Sequence, residues 1–294
     1  MDHLCLLLFL ILLFLISIVL IAWILPRYIG QPSVGDSVDT IRRKLGQLVL
    51  DNYRVDTFNQ AYPVYIQPKE ITLVMGAIDH NGTRLWTGFS KQRFDEYAAY
   101  HGYATYYFTK PINPEAPSIW QKIYAVQQAL QQPDCQAVVW IDDDIIITTP
   151  QRPVEDFLAM TDKPMIFSMD IGKKPDEHPN EPVENYRNVM NSGLFIIRKT
   201  PETLAFLDDI ITGRKSLFNG YFNEHLFHEQ SIMTYYLYSK YRDSFTLMPL
   251  GYLQTIYSTG SWRPEHFSLH LAGENILTRY MVMKRVLENT KMVD

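Results

Sequence analysis

The sequence has little cysteine and no excess of positive charge. Its two cysteines are Cys5, which lies inside a long apolar run, and Cys135, so a disulfide within the folded domain is excluded. Lys and Arg number 27 against 32 Asp and Glu, a formal net charge of −5, which gives no electrostatic case for binding nucleic acid. Internal repeats and low-complexity tracts are also lacking. With 294 residues, 47% of them hydrophobic, the chain is long enough for one large globular domain plus additional segments.

Charged residues are missing from one long stretch near the N-terminus. Leu4–Leu25 is an apolar run in which Ser17 is the polar residue. As a helix it would span about 33 Å, enough for a bilayer core of about 30 Å. The run is longer than the apolar part of a cleaved signal peptide, and it ends beside Trp23 and Tyr28, which suit a membrane interface. We therefore expect residues 1–26 to be a transmembrane signal anchor, with a cleaved signal peptide as the alternative.

The charges around this run do not decide which side of the membrane the remaining chain occupies. No Lys or Arg precedes the run, whereas Arg27 and residues 42–44 follow it. The positive-inside rule would therefore place the bulk of the chain in the cytosol. The sequon Asn81-Gly82-Thr83 does not settle the compartment, because single sequons occur by chance.

After a predicted stem at 27–69, strand and helix patterns alternate. A folded domain is predicted at 70–288, with a tail at 289–294. Thr200 followed by Pro201 is typical of a helix start. The alternation predicts an α/β fold with a mostly parallel central sheet and helices on both faces. Strands are predicted at 70–79, 104–110, 137–142, 164–171 and 192–199, with late strands in "SFTLMPL" and "HFSLHLA", and helices at 90–101, 118–130, after Thr200 and within 223–241.

Three carboxylates follow the apolar segment "AVVWI": Asp142, Asp143 and Asp144. Ligands of mostly parallel sheets bind outside the carboxyl ends of the strands, so the cluster lies where a ligand site is expected. Residues two apart in an extended segment point the same way, which brings Asp142 and Asp144 together. Mg²⁺ or Mn²⁺ takes one or two such carboxylates and leaves positions for substrate phosphates. The motif also fits a solvated acidic turn or a cluster that caps a helix.

Two classes of enzyme place Asp-x-Asp after an apolar strand. Haloacid-dehalogenase-like phosphatases use the first Asp as nucleophile, but their motif opens the domain and has Thr or Val where this chain has Ile146. Metal-dependent glycosyltransferases of the A-type fold carry the motif after a nucleotide-binding half, and the segment from Glu70 to Asp142 has a suitable length for one. A non-catalytic, membrane-anchored binding protein on a transferase fold is a third possibility.

Four segments then favour the transferase class. "VVWIDDDIIIT", "NVMNSGLFIIRKTPETLAFLDDI", "FHEQSIMTYYL" and "FSLHLAG" occur in an order that resembles glycosyltransferase family 34, over roughly residues 70–275. That family contains galactosyl-, mannosyl- and xyloglucan xylosyltransferases. The resemblance implies one signal anchor, a stem and a luminal catalytic domain in the Golgi, and we favour this orientation over the one from the charge rule.

The resemblance also implies roles for particular residues. Asp142 and Asp144 would bind Mn²⁺, or alternatively Mg²⁺, with His270 as the third ligand, and the ion would hold the diphosphate of a nucleotide sugar. Glu229 and Gln230 would lie beneath the anomeric carbon of the donor sugar as catalytic residues. Taken without the resemblance, a histidine such as His270 on a strand is more often a core residue, and "HEQS" fits the acidic first turn of a helix equally well. The residues expected around the donor are Asp79, Asn81, Tyr107, Lys122, Asp143, Asn191, Ser192 and Gly193.

For several of these residues, a purely structural role remains the alternative to a role in binding. Lys122 either reaches the donor or is a solvated helix residue, and "MNSGLFIIR" is either part of the donor and acceptor pocket or a turn that enters a strand. The acidic segment 170–188 is expected to line the acceptor side or to act as a mobile lid.

The resemblance implies a retaining transfer from an α-linked donor to a glycan or glycoprotein hydroxyl. Glu229 could act as a carboxylate nucleophile, or the acceptor could attack on the face of the leaving group. Gln230 would stabilise positive charge through its amide oxygen. UDP-sugars are the first expectation for the donor and GDP-mannose the second. The presence together of Asp142, Asp144 and His270 with Glu229 and Gln230 argues against the binding-protein alternative.

Overall fold

The computed structural model describes residues 67–78, 84–171, 189–217 and 228–290. The expected anchor, all of the expected stem before residue 67, and almost all of segment 170–188 lie outside the described residues. Among the helices that are described, none combines the length and the apolar character needed to cross a membrane.

The strands of the described chain form two sheets. The larger sheet has six strands in the order β2-β1-β3-β6-β5-β7, and β6 runs antiparallel to both of its neighbours while the other pairs are parallel. The expectation of a mostly parallel central sheet is therefore confirmed. The strands are β1 Ile71–Gly76, β2 Ala104–Phe108, β3 Ala137–Ile141, β4 Ile145–Ile147, β5 Met165–Met169, β6 Met190–Arg198, β7 Phe245–Met248, β8 Thr255–Ile256 and β9 Ser268–His270.

Helices cover both faces of the larger sheet. Trp140 of β3 points into a buried cluster with α2, α4 and α5, whereas Val139 and Ile141 point into the opposite cluster with α1 and α3. Successive side chains of a strand alternate between faces, so β3 is buried on both sides and is apolar throughout. The helices are α1 Thr87–His101, α2 Gln121–Leu130, α3 Val154–Ala159, α4 Pro201–Ser216, α5 His228–Ser239 and α6 Ile276–Asn289.

The predicted helix start at Thr200 is confirmed. The Thr200 side chain accepts a hydrogen bond from the Thr203 backbone N–H, and Pro201 is the first residue of α4. This arrangement satisfies a backbone donor that the first helical turn would otherwise leave unpaired.

A smaller sheet brings the C-terminal part of the chain to the aspartate cluster. Its strand order is β4-β9-β8, and β4 pairs antiparallel with β9 so that Ile145 lies opposite His270. Helix α6 packs behind this sheet through Met283 and Val286 in a cluster that includes Trp86. His270 is therefore held next to the residue that follows Asp144.

A register shift in the larger sheet shapes the start of β6. Phe167 of β5 pairs with Phe195, but the next residue, Ser168, pairs with Asn191. The residues between Asn191 and Phe195 therefore have no partner on β5, although Leu194 still pairs with Ile141 of β3. Such bulges bend a strand, redirect its side chains and are frequent beside functional sites.

Candidate active site

Polar residues converge at one edge of the larger sheet. Asp142 follows β3 and Asp170 follows β5, while the reversed strand β6 begins at the same edge with Asn191, Ser192 and Gly193. The sheet direction therefore collects residues that are up to 51 positions apart in the chain. This is the edge at which the sequence predicts a ligand site.

Asp142, Asp144 and His270 form a group that suits a divalent cation. Each offers one ligand atom, and these atoms all lie within 4.8 Å of one another. The Asp142 backbone N–H donates to the Gly193 carbonyl at 2.8 Å and the Leu271 N–H donates to the Asp144 carbonyl at 3.0 Å, which fixes the backbone on both sides of the motif. Two carboxylates and one imidazole are a donor set compatible with Mn²⁺, so the residues present fit the metal expected from the sequence.

Two cations already balance the carboxylates of this group. The Lys122 ammonium lies 3.1 Å from Asp142 Oδ1, and the Arg279 guanidinium lies 2.9 Å from Asp144 Oδ2. His270 Nε2 lies 3.2 Å from Asp144 Oδ1. Burial alone would raise the pKa of Asp144, but His270 and Arg279 outweigh it and lower the pKa to about 2. A bound cation would take the place of the proton between Asp144 and His270.

Asp143 faces away from this group and pairs with Arg84. Arg84 Nη1 donates to both carboxylate oxygens of Asp143, at 2.7 and 2.6 Å. Burial raises the pKa of Asp143 to about 6 even though the charge of Arg84 opposes the shift. The pKa of Tyr107 is raised by burial and by the charge of Asp143, which marks the two side chains as neighbours. The other two residues expected at the nucleotide, Asp79 and Asn81, lie outside the described residues.

Lys122 is buried, so the alternative of a solvated helix residue is wrong. Its side chain is 5% exposed, and its ammonium lies 3.0 Å from Glu229 Oε1 as well as 3.1 Å from Asp142 Oδ1. It also donates to the Ser192 carbonyl at 3.2 Å. Burial lowers the pKa of Lys122, but the charges of Asp142 and Glu229 prevail and raise it, so the ammonium stays charged at neutral pH.

Glu229 and Gln230 open α5 and are both buried. Glu229 Oε1 accepts from Ser192 Oγ at 3.0 Å, whereas its other oxygen, Oε2, has no hydrogen-bond partner in the described part of the chain. Gln230 Oε1 accepts from the Ser192 backbone N–H at 3.1 Å, and its Nε2 donates to Asp170 at 3.1 Å. One oxygen of the buried Glu229 carboxylate is therefore not used by any residue that the structure describes.

Asp170 orients two amide side chains of the site. Its Oδ2 accepts from Asn191 Nδ2 at 3.2 Å and from Gln230 Nε2 at 3.1 Å, and its Oδ1 accepts from the Ile171 N–H at 2.7 Å. Burial raises the pKa of Asp170, and these hydrogen bonds offset part of that shift. Asp170 was not predicted as a site residue, although its position directly after a buried strand is the same signal that marks Asp142.

Gly193 is required by the contact between β6 and His270. A Cβ atom at this position would lie 2.4 Å from His270 Cε1 and 2.9 Å from Asn191 Oδ1. The close backbone approach expected at Gly193 is therefore present, but the side chain that approaches is His270, the third candidate metal ligand. The Gly193 N–H donates to Asn191 Oδ1 at 2.9 Å, which holds this turn of the bulge in place.

Comparisons with known proteins agree with this geometry. The sequence model of the galactosyl transferase GMA12/MNN10 family matches residues 67–289. A protein of Arabidopsis thaliana named "Putative glycosyltransferase 7" is 25% identical over an alignment of 222 residues. The match covers 69% of this chain and 45% of that protein, so the chain spans less than half of its length.

Among solved structures, a glycosyltransferase involved in the glycosylation of the major capsid of PBCV-1 is similar in fold. The TM-score is 0.55 at 17% sequence identity, over 73% of this chain and 98% of that one. This likeness supports the assignment of the fold. The resemblance to glycosyltransferase family 34 is thus confirmed, and the chain belongs to the galactosyl transferase GMA12/MNN10 family.

Proposed function

We propose that this protein is a retaining α-glycosyltransferase that moves a hexosyl or pentosyl unit from a nucleotide diphosphate sugar to a hydroxyl of a glycan. The observation that carries the proposal is the convergence of Asp142, Asp144 and His270 within 4.8 Å. Glu229, one carboxylate oxygen of which has no partner among the described residues, is joined to the same group by Lys122. Family membership and the fold support the same reaction class.

The metal group has a defined part in this reaction. Asp142, Asp144 and His270 would hold Mn²⁺, or Mg²⁺ in its place, and the bound ion supplies positive charge that stabilises the departing diphosphate. Lys122 and Arg279 stay beside the two carboxylates and reduce their mutual repulsion. The imidazole ligand favours Mn²⁺ over Mg²⁺, because Mg²⁺ prefers oxygen ligands more strongly.

Glu229 and Gln230 divide the work at the donor sugar. The transition state of glycosyl transfer resembles an oxocarbenium ion, so a carboxylate close to the anomeric carbon stabilises it or forms a bond to it. Glu229 Oε2 is buried and has no hydrogen-bond partner among the described residues, and it would take either role once the donor is bound. Gln230 Oε1 accepts from the Ser192 backbone N–H, which orients the amide, and this oxygen would stabilise the developing positive charge.

The nucleotide would lie beside Tyr107 and Asp143, with Arg84 holding the carboxylate of Asp143. UDP-sugars are the first proposal for the donor and GDP-mannose the second. The acceptor would be a glycan or glycoprotein hydroxyl near the loop that follows Asp170. We also propose that residues 4–25 anchor the chain in the Golgi membrane, with residues 70–288 as a luminal catalytic domain.

A transfer assay with the full-length chain in detergent micelles tests this proposal. UDP- and GDP-sugars are supplied with Mn²⁺ or with EDTA, and release of the nucleoside diphosphate is measured. We expect release from one donor that requires Mn²⁺, and about 100-fold or more loss of kcat in Glu229→Gln, the size expected when a catalytic carboxylate is removed. The anomeric configuration of the product, read by NMR, should be α.

The same assay separates the alternatives. A haloacid-dehalogenase-like phosphatase would release phosphate from p-nitrophenyl phosphate, and a binding protein would consume no donor. The family match, which spans the Asp-x-Asp motif, argues against the phosphatase. A β-linked product would contradict the retaining mechanism while leaving the transferase class in place.

A further inference from the structure

The indole N–H of Trp140 has an unusual partner. It donates to Asp142 Oδ1 at 2.6 Å, and Trp140 itself is 3% exposed. In the part of the chain that the structure describes, the indole nitrogens of Trp86, Trp120 and Trp262 are buried without a hydrogen-bond partner. Among the described tryptophans, Trp140 is therefore the one whose indole N–H has a hydrogen-bond partner, and that partner is Asp142, one of the three candidate metal ligands.

The sequence places these two groups together without help from other elements. Trp140 is the fourth residue of β3, and Asp142 directly follows the strand, where its N–H still pairs with the Gly193 carbonyl of β6. Side chains two apart on an extended segment point to the same side. The Trp140–Asp142 contact is therefore built into the local chain and does not depend on a mobile loop.

A second contact reinforces the first. The Lys122 ammonium lies 5.6 Å from the centre of the Trp140 ring and also contacts both oxygens of Asp142, at 3.1 and 3.3 Å. The edge of the Trp140 indole thus donates a hydrogen bond to the Asp142 carboxylate. The face of the same indole contacts the Lys122 ammonium, which pairs with that carboxylate. Both partners restrict the rotamer of Asp142.

We propose that Trp140 is a positioning residue that fixes the Asp142 carboxylate for the divalent cation. This inference rests on the metal site of the proposed function. Partners of this kind orient a metal ligand in advance, so less conformational freedom is lost when the ion binds, and their removal typically weakens metal binding by about 10- to 100-fold.

Trp140→Phe removes the N–H donor while keeping an aromatic ring beneath Lys122. Trp120→Phe is the matched control, because Trp120 is also buried in the same cluster and its N–H has no partner among the described residues. Both variants are made in the full-length chain in micelles, and Mn²⁺ binding is titrated by the EPR signal of the free ion. We expect a Kd for Mn²⁺ about 10- to 100-fold higher in Trp140→Phe and unchanged in Trp120→Phe.

Kinetics give a second readout that a general loss of packing would not produce. In Trp140→Phe the Mn²⁺ concentration for half-maximal rate should rise, while kcat at saturating Mn²⁺ stays near the unmodified value. Should Trp140→Phe bind Mn²⁺ as tightly as the unmodified chain, the positioning role is overturned. A fall of kcat that excess Mn²⁺ does not restore overturns it as well.

A measurement that keeps Trp140 covers the case in which Trp140→Phe fails to fold. With ¹⁵N-labelled tryptophan, one indole N–H resonance should exchange slowly with solvent and move in Asp142→Asn, and the absence of any such change overturns the inference. The two proposals fail in different ways. If the unmodified chain binds no Mn²⁺, both the metal site and the positioning role are lost. If it binds Mn²⁺, Asp144→Ala does not and Trp140→Phe does so normally, the positioning role alone is lost.

Discussion

Lys122 is the residue that joins the two halves of the site. Its ammonium contacts Asp142 of the metal group and Glu229 at the start of α5, and it is enclosed between them. Two carboxylates this close to each other in a buried setting would repel strongly without an intervening cation. Lys122 therefore both separates the two carboxylates and balances their charge. We expect its removal to lower the stability of the fold substantially.

Lys122→Met keeps most of the apolar stem and removes the charge. Because it leaves Asp142 and Glu229 without their cation, we expect the free energy of unfolding to fall by about 3–5 kcal/mol. Urea unfolding measured without divalent cations reports this change. Lys240→Met is the control, since Lys240 pairs with Asp209 on the surface, and it should cost much less. A loss in Lys122→Met no larger than that of the control would contradict this account of the ion pairs.

At the scale of elements, the sequence predicts which segments form strands better than it predicts whether a strand runs parallel or antiparallel to its neighbours. The apolar run "SGLFIIRK" reads as a buried strand, and it is one, but an apolar run carries no mark of its direction, so the reversal of β6 was not foreseen. That reversal is what brings Ser192 and Gly193 to the aspartates. Strands β4 and β8 are three and two residues long, and patterns that short do not rise above the surrounding chain, whereas β9 lies within the predicted strand "HFSLHLA".

The missed partners of the site have the same cause. Arg84 lies in a loop 59 residues before Asp143, and Arg279 belongs to a C-terminal helix that was not predicted. Neither arginine lies in a recognisable local motif. Each is brought to its aspartate by the way in which the two sheets are connected, which a local sequence pattern does not show. The aspartates and His270 were found from the sequence because strand ends and a family motif mark them directly.

The turn before β9 contains a histidine, His266, that should make stability depend on pH. Burial lowers the pKa of His266 below its usual value, and Glu265 offsets only part of that shift. The Arg263 N–H donates to His266 Nδ1 at 3.2 Å, so this nitrogen acts as an acceptor in the neutral ring. The folded state therefore binds the proton less readily than the unfolded state, where the pKa is about 6.5.

Stability should accordingly be highest above pH 7 with respect to this group and should fall as the pH drops through about 6.5. Unfolding of the metal-free chain by urea at a series of pH values between 5 and 8 measures the slope. His266→Gln cannot take up the proton, so the difference in stability between the unmodified chain and this variant should shrink toward low pH. A difference that does not vary with pH would show that His266 has an unshifted pKa.

At the scale of the whole molecule, the candidate site residues lie together at one edge of the larger sheet. The two large buried clusters on either side of this sheet support the strands, and the smaller sheet with α6 adds His270 and Arg279 from the end of the chain. The family match covers this whole region. The anchor at 1–26, the stem at 27–69 and the Golgi location stay predictions.

The central claim is that Asp142, Asp144 and His270 hold a divalent cation that binds a nucleoside diphosphate. A thermal-shift series on the full-length chain in micelles tests it most directly, with UDP, GDP, CDP and ADP, each with Mn²⁺ or with EDTA. Asp144→Ala is compared with Asp134→Ala, which alters an exposed aspartate away from the site.

Ligand that binds the native state raises the Tm by mass action. The account predicts that one nucleotide raises the Tm, that the rise requires Mn²⁺, and that it is lost in Asp144→Ala but kept in Asp134→Ala. A nucleotide-dependent rise that persists in EDTA and in Asp144→Ala, or no rise with any nucleotide in a folded sample, would contradict it.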